Sequence, residues 1–151
     1  MSIFNAINSS ASALTAQRLR MDVVSSNLSN AQTTRATINE NGDYEAYRRK
    51  MVTLEPKDTS FQSFLHKASN HLETGSGGVK VTNIIEDETP FKQVYNPAHP
   101  DANEEGYVQL PNVDPLKEMV DLMSATRSYE ANVTSLNASK NMLMKALEIG
   151  K

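Results

Sequence analysis

The chain has 151 residues with 15 basic and 18 acidic side chains, a formal net charge of −3, and only 38 % apolar and 6 % aromatic residues with no Trp. That is lean beside the roughly 45–50 % apolar content of a globular domain, so part of the surface is expected to order against neighbouring subunits. No run approaches the ~20 apolar residues of a membrane span, no basic cluster suits a nucleic-acid binder, and zero Cys removes thiol catalysis, disulfides and cysteine-held zinc.

The N-terminal stretch MSIFNAINSSASALTAQRLR has no charged start, apolar run and small-residue cleavage site of a secretory signal. Any passage out of the cytoplasm is therefore expected to use a route without a cleaved signal. Of the 6 Gly and 6 Pro, all but Gly150 lie between Gly42 and Pro115. Both residue types disfavour helix interiors, so each end of the chain is free to form one long helix. Ile7, Leu14, Met21 and Leu28 recur every seven residues, the repeat that holds one seam against a partner helix. The seam is imperfect, because Arg18 and Ser25 follow Phe4 and Ala11 in the adjoining column. The expected N-terminal segment is 1–34, with helix over 3–30.

The middle, 35–113, reads as a small β-rich region. Tyr44–Leu54, the partial alternation Val79, Val81, Ile85 after Gly75-Ser76-Gly77-Gly78, and Tyr107-Val108-Gln109-Leu110 are three short strand candidates separated by turn residues. Between the first two, Phe61, Phe64, Leu65, Ala68 and Leu72 have helical spacing, so 58–73 is either a short helix or an insert that orders on contact. The C-terminal segment, 114–151, opens on Asp114-Pro115, an N-cap followed by a residue pre-set for the first turn. Leu122, Tyr129, Leu136 and Leu143 repeat by seven, with Met119, Thr126 and Val133 as the companion column. Two helices of similar length, each with one apolar seam, pack most economically on each other as an antiparallel coiled coil. The expected fold is mainly α with a small β subdomain.

Sites for chemistry are sparse. His66 and His71 are five apart and do not share a helix face, and His99 sits in the turn NPAHPD, so no metal set converges. The glycine cluster at 75–78 lacks the Lys-Ser/Thr of a phosphate loop. Glu86-Asp87-Glu88 reads as a solvated strand end. Asn-x-Ser/Thr at Asn8, Asn27, Asn132 and Asn137 falls inside expected helices, away from the loops that carry glycans. A hydrolase would need two carboxylates in a cleft; Glu86 and Glu105 are the only nominees, and no groove is suggested around either. No enzyme, cofactor, metal or small-molecule substrate is indicated.

Specific residues then point to a family. Val24-Val-Ser-Ser-Asn-Leu-Ser-Asn-Ala31, continued by Gln32-Thr33-Thr34, resembles the Asn-Leu-(small)-Asn motif that ends the N-terminal helix of bacterial flagellar rod and hook axial proteins. Pro111-Asn112-Val113-Asp114, EMVDLMSATRSYEANV and MLMKALEIG resemble that family's partner helix, and GGVKVTNIIEDETPFKQVYNPAHPDANEEGYVQLPNVD is similar to its proximal-rod branch. Gln32 and Thr34-Arg35-Ala36 depart from the pattern. The resemblance implies Asn27, Leu28, Asn30, Asn112 and Asp114 as motif residues and a structural subunit of the basal-body rod. It further implies polymerisation with copies of itself and with other proximal and distal rod subunits and the rod adaptor at the export gate or membrane ring. The implied location is the periplasmic rod, reached by type III export. A helical adaptor or export-gate-associated protein is the alternative, although it would need neither the β middle nor the PNVD junction.

Overall fold

The computed structural model describes residues 3–39, 42–57 and 78–149. Helix α1 spans Ile3–Ser29, with neither Gly nor Pro along its 27 residues. Helix α2 spans Pro115–Ile149, 35 residues. Its start follows cap chemistry: the Asp114 carboxylate accepts the Leu116 N–H at 3.1 Å, and the Asp114 carbonyl accepts the Glu118 N–H at 3.0 Å. Gly150 and the 58–73 segment, with His66 and His71, lie outside the described residues.

Between the helices the described residues form six strands: β1 Thr37–Ile38, β2 Tyr44–Glu45, β3 Lys50–Pro56, β4 Val79–Glu86, β5 Lys92–Tyr95 and β6 Tyr107–Leu110. They form three two-stranded sheets, β1–β2, β3–β4 and β5–β6. The first and last are antiparallel, with Thr37 opposite Glu45 and Tyr95 opposite Tyr107.

The single strand expected over Tyr44–Leu54 is two. The break at 46–49 arises because these residues bond elsewhere: the Tyr47 N–H reaches the Thr33 carbonyl at 3.1 Å and the Arg49 N–H the Asn112 side chain at 2.8 Å. β5 went unpredicted because all four of its residues are exposed and it carries no apolar alternation; pairing with β6 defines it.

The described residues fall into two compact units, and each long helix contributes to both. One unit takes the described parts of 1–19, 53–83 and 125–151. Its interior is built from small side chains, with Ala16, Ala125, Ser10 and Ser139 buried. The Ser12 hydroxyl donates to the Ser9 carbonyl at 2.8 Å and accepts the Val79 N–H at 3.1 Å. A Cβ at Gly78 would lie 2.6 Å from that hydroxyl, at a φ of +144°, so only glycine fits where the chain enters β4.

The other unit takes the described parts of 20–52 and 84–124. Val23, Val24, Ala46, Tyr47, Val108, Pro111 and Val113 are buried there. So are two polar side chains, Asn27 and Glu118, both 0 % exposed. Within this unit α1 and α2 run antiparallel: Asn27 bonds Glu118, and Arg20, earlier on α1, bonds Asp121, later on α2.

Candidate functional site

Asn27 stands two residues from the end of α1, and its amide is used completely. Nδ2 donates to the Lys50 carbonyl at 2.8 Å and to Glu118 Oε2 at 3.0 Å. Oδ1 accepts the Lys50 N–H at 2.9 Å and the Tyr47 hydroxyl at 3.1 Å. A primary amide has two donors and two acceptor lone pairs, so nothing is left unsatisfied in a fully buried group. By serving both backbone groups of Lys50, the side chain stands in for a neighbouring strand at the head of β3.

Glu118 lies one turn into α2 and faces the same point. Its Oε1 accepts from Arg49 Nε at 2.6 Å, while Oε2 accepts from Asn27. Arg49, with its side chain 13 % exposed, also reaches Asp87 at 3.5 Å and Asp121 at 3.6 Å. Burial alone would lower the Arg49 pKa, but the hydrogen bond and charge of Glu118, followed by those of Asp87, raise it on balance. Asp87 is held below the usual carboxylate range chiefly by hydrogen bonds from Thr89, which outweigh desolvation, with Arg49 adding to the lowering.

Asn112 ties in the segment leading to α2. Its Oδ1 accepts the Arg49 N–H at 2.8 Å, and Nδ2 donates to the carbonyls of Asp87 at 3.0 Å and Thr89 at 3.1 Å. Four pieces of chain are thereby locked at one point: the end of α1, the head of β3, the strand end at 86–89 and the first turn of α2. Such a junction has no convergent metal set among the described residues. It can set the angle and register of the helices against the β region, and a rigid polar network of this kind specifies one arrangement rather than adding much net stability.

The motif residues separate by role. Asn27 and Asn112 meet the same strand segment, at Lys50 and Arg49 respectively. Asn30 acts locally, donating to the Ser26 carbonyl at 2.9 Å and accepting from Thr33 at 3.2 Å, which closes the helix end. Asp114 is the exposed cap of α2, and Leu28 is half-buried.

On α1, Ile7, Leu14 and Met21 are half-buried, while the deeper positions are Ala16, Val23, Val24 and Asn27. On α2, Leu122, Tyr129, Val133, Leu136 and Leu143 are half-buried, but Met119 is 44 % exposed. One residue before the expected companion column, Glu118, Ala125 and Ser139 are buried and Asn132 is half-buried, as is Val133 of the expected column. The three buried side chains are small or polar, so an apolarity search passes over them, whereas the short side chain at Ala125, 0 % exposed, permits close approach. Glu118, Arg49 and Tyr47 were missed altogether. The available signal was a carboxylate in a buried heptad column, which requires a partner.

The comparisons with known proteins agree with this division of the chain. Residues 7–37 match the family described as flagella basal body rod protein, and residues 104–149 match the C-terminal region of the flagellar basal body rod FlgEFG proteins. The flagellar basal-body rod protein FlgC of Bacillus subtilis is 63 % identical over 151 residues, covering 100 % of both chains. The chain belongs to the FlgC family of flagellar basal-body rod proteins. Family members from Borreliella burgdorferi and Escherichia coli O6:H1 are 42 % and 40 % identical, over 99 % and 100 % of this chain and 98 % and 100 % of their own. FlgC proteins are components of the flagellar basal-body rod. The two matched segments contain Asn27 and both Asn112 and Glu118, while Arg49 and Tyr47, which bridge them, lie between the segments.

Proposed function

We propose that this chain is a structural subunit of the proximal rod, polymerising into the drive shaft that transmits torque and surrounds the export channel. The observation that carries the reading is the match to FlgC proteins, 63 % identical over 100 % of both chains for the Bacillus subtilis protein. In this reading the segments 1–34 and 114–151 form an antiparallel coiled coil in the inner layer, with 35–113 outside it. The seam residues Ile7, Leu14, Met21 and Leu28 on one helix, and Leu122, Tyr129, Val133, Leu136 and Leu143 on the other, complete their burial against neighbouring subunits. Their half-exposed state in the single chain supports this. Met119, 44 % exposed in the single chain, then meets a neighbouring subunit instead of α1.

The partners are other copies of the chain, the other proximal and distal rod subunits, and the rod adaptor at the export gate or membrane ring. None of the described helices is long and apolar enough to cross a membrane. The subunit reaches the periplasmic rod by type III export without a cleaved signal. The Asn27–Glu118–Arg49 junction is the rigid coupling between the axial helices and the β region, through which load passes.

Cryo-EM of isolated hook–basal bodies tests the reading. Density for this chain is expected in the proximal rod with both helices in the inner layer. Intact rods that lack the chain would overturn it and favour an assembly-stage adaptor.

A further inference from the structure

The second unit contains an open cleft of about 570 Å³ that the junction does not use. One wall is the β5–β6 ribbon. Its register places Gln93 opposite Gln109 and Tyr95 opposite Tyr107, so alternation puts two glutamines and two tyrosines on one face. The reverse face holds Val94 and Val108, of which Val108 is buried. The other wall comes from the β1–β2 hairpin, with Asn39, Asp43, Tyr44 and Glu45.

The aromatic groups are built into place. Tyr95 and Tyr107 meet edge to face at 5.4 Å. A Cβ at Gly106 would sit 2.9 Å from the Tyr95 ring at a φ of +81°, so glycine is what lets that ring lie flat across the turn. Tyr44, 60 % exposed, carries the Arg35 guanidinium 5.2 Å from its ring centre. Two of the three lining carboxylates are neutralised by the chain itself: Asp101 is bonded by Arg35 and Thr34, and Glu45 by Arg48 at 2.9 Å.

The lining therefore has four primary amides, tyrosine rings and oriented acceptors, with alanines as its only aliphatic side chains and neither Lys nor Arg. A protein interface has a desolvated apolar centre, which this cleft lacks. An anion would meet three carboxylates, and a cation would find two of them, Glu45 and Asp101, already paired. Neutral hydroxyl groups and amides suit the lining: side-chain amides match both the N–H and the C=O of an acetamido group, and tyrosine offers an apolar ring face with a polar tip. From this we infer that the cleft binds a glycan strand of N-acetylated amino sugars. The inference rests on the cleft's own chemistry and stands apart from the rod reading.

Titration of the isotope-labelled full-length chain with chitotetraose is the test. Saturable amide shifts are expected at Asn39, Gln93, Asn103 and Gln109, with binding weakened about tenfold in Gln93→Ala and in Tyr44→Ala. Both positions are exposed, and circular dichroism with thermal melting shows whether each variant keeps its fold. Co-sedimentation with purified peptidoglycan sacculi, set against chitin, identifies the source of the glycan. Absence of shifts, shifts undiminished in both folded variants, or an equal response to maltotetraose would overturn the inference. So would cleft resonances that move only with rising protein concentration, because the cleft would then be an interface between copies of the chain.

Discussion

Asn27 and Asp87 are held by opposite electrostatic logic, and pH separates them. Asn27→Asp would place a carboxylate against Glu118, where Nδ2 now donates at 3.0 Å. Like charges raise the pKa of one member of the pair in the folded state above its unfolded value. The resulting penalty is full at neutral pH and relaxes as the pH falls through that raised value. Asn27→Leu loses the same bonds with no charge, so its stability deficit should stay flat over the same range. Chemical denaturation of both variants from about pH 7 to about pH 5 reads the contrast, and parallel curves would refute the direct Asn27–Glu118 contact.

For Asp87 the sign is reversed. Its folded pKa is depressed below 3.8 by Thr89 and Arg49, so its contribution is complete above that value and lost as pH falls through the lower folded one. Asp87→Asn is therefore expected to be destabilised at neutral pH, with the gap to the parent chain closing only in strong acid. Glu118→Ala leaves the Arg49 guanidinium largely buried with its shortest partner removed, a change that costs on the order of 3–5 kcal/mol in such pairs. Urea unfolding monitored at the tyrosines reads that loss, and a cost below about 1 kcal/mol would place the pair among ordinary surface salt bridges.

Along the elements, the buried face of α2 follows Glu118, Leu122, Ala125, Tyr129, Asn132, Leu136, Ser139 and Leu143, steps of four and three. Sustained alternation of this kind is the geometry of a coiled-coil seam. It separates two substitutions that composition alone treats alike. Ala125→Leu pushes three extra carbons into a site 0 % exposed and should destabilise the single chain by about 1–3 kcal/mol. Met119→Ser should leave the single chain's melting unchanged, because the side chain is already 44 % exposed. Equal effects would mean that the seam does not run through Ala125. For Leu136→Asp, loss of incorporation into rods is expected while the strand signals of 35–113 persist; normal motility would refute its seam role.

At the scale of the molecule, 38 % apolar residues must serve two long helices and three two-stranded sheets. Two-stranded sheets are marginal by themselves, and long helices owe their stability to packing. Amide exchange on dilute single chains should therefore show weak protection over 3–19 and 130–149, and stronger protection around Asn27, Lys50 and Glu118. Uniform strong protection of both helices would mean that the single chain is complete without neighbours, contrary to ordering on assembly.

The end of α1 near Ser29, the Asp114-Pro115 start and the β character of the middle were legible from local signals, because caps, breakers and periodicity act over a few residues. The Asn27 motif was equally visible as a pattern, but its bonding was not. Its partners Tyr47, Lys50 and Glu118 lie 20, 23 and 91 residues away, and no spacing rule connects them. The same reason hid β5, whose exposed residues become a strand only through β6, and the positions Glu118, Ala125 and Ser139 of α2, where small and polar residues are buried by what packs against them. Local sequence determined where the two helices and their breakers lie; only the tertiary structure decided which buried polar groups meet, since a buried amide or carboxylate is stable solely where distant chain supplies its partners.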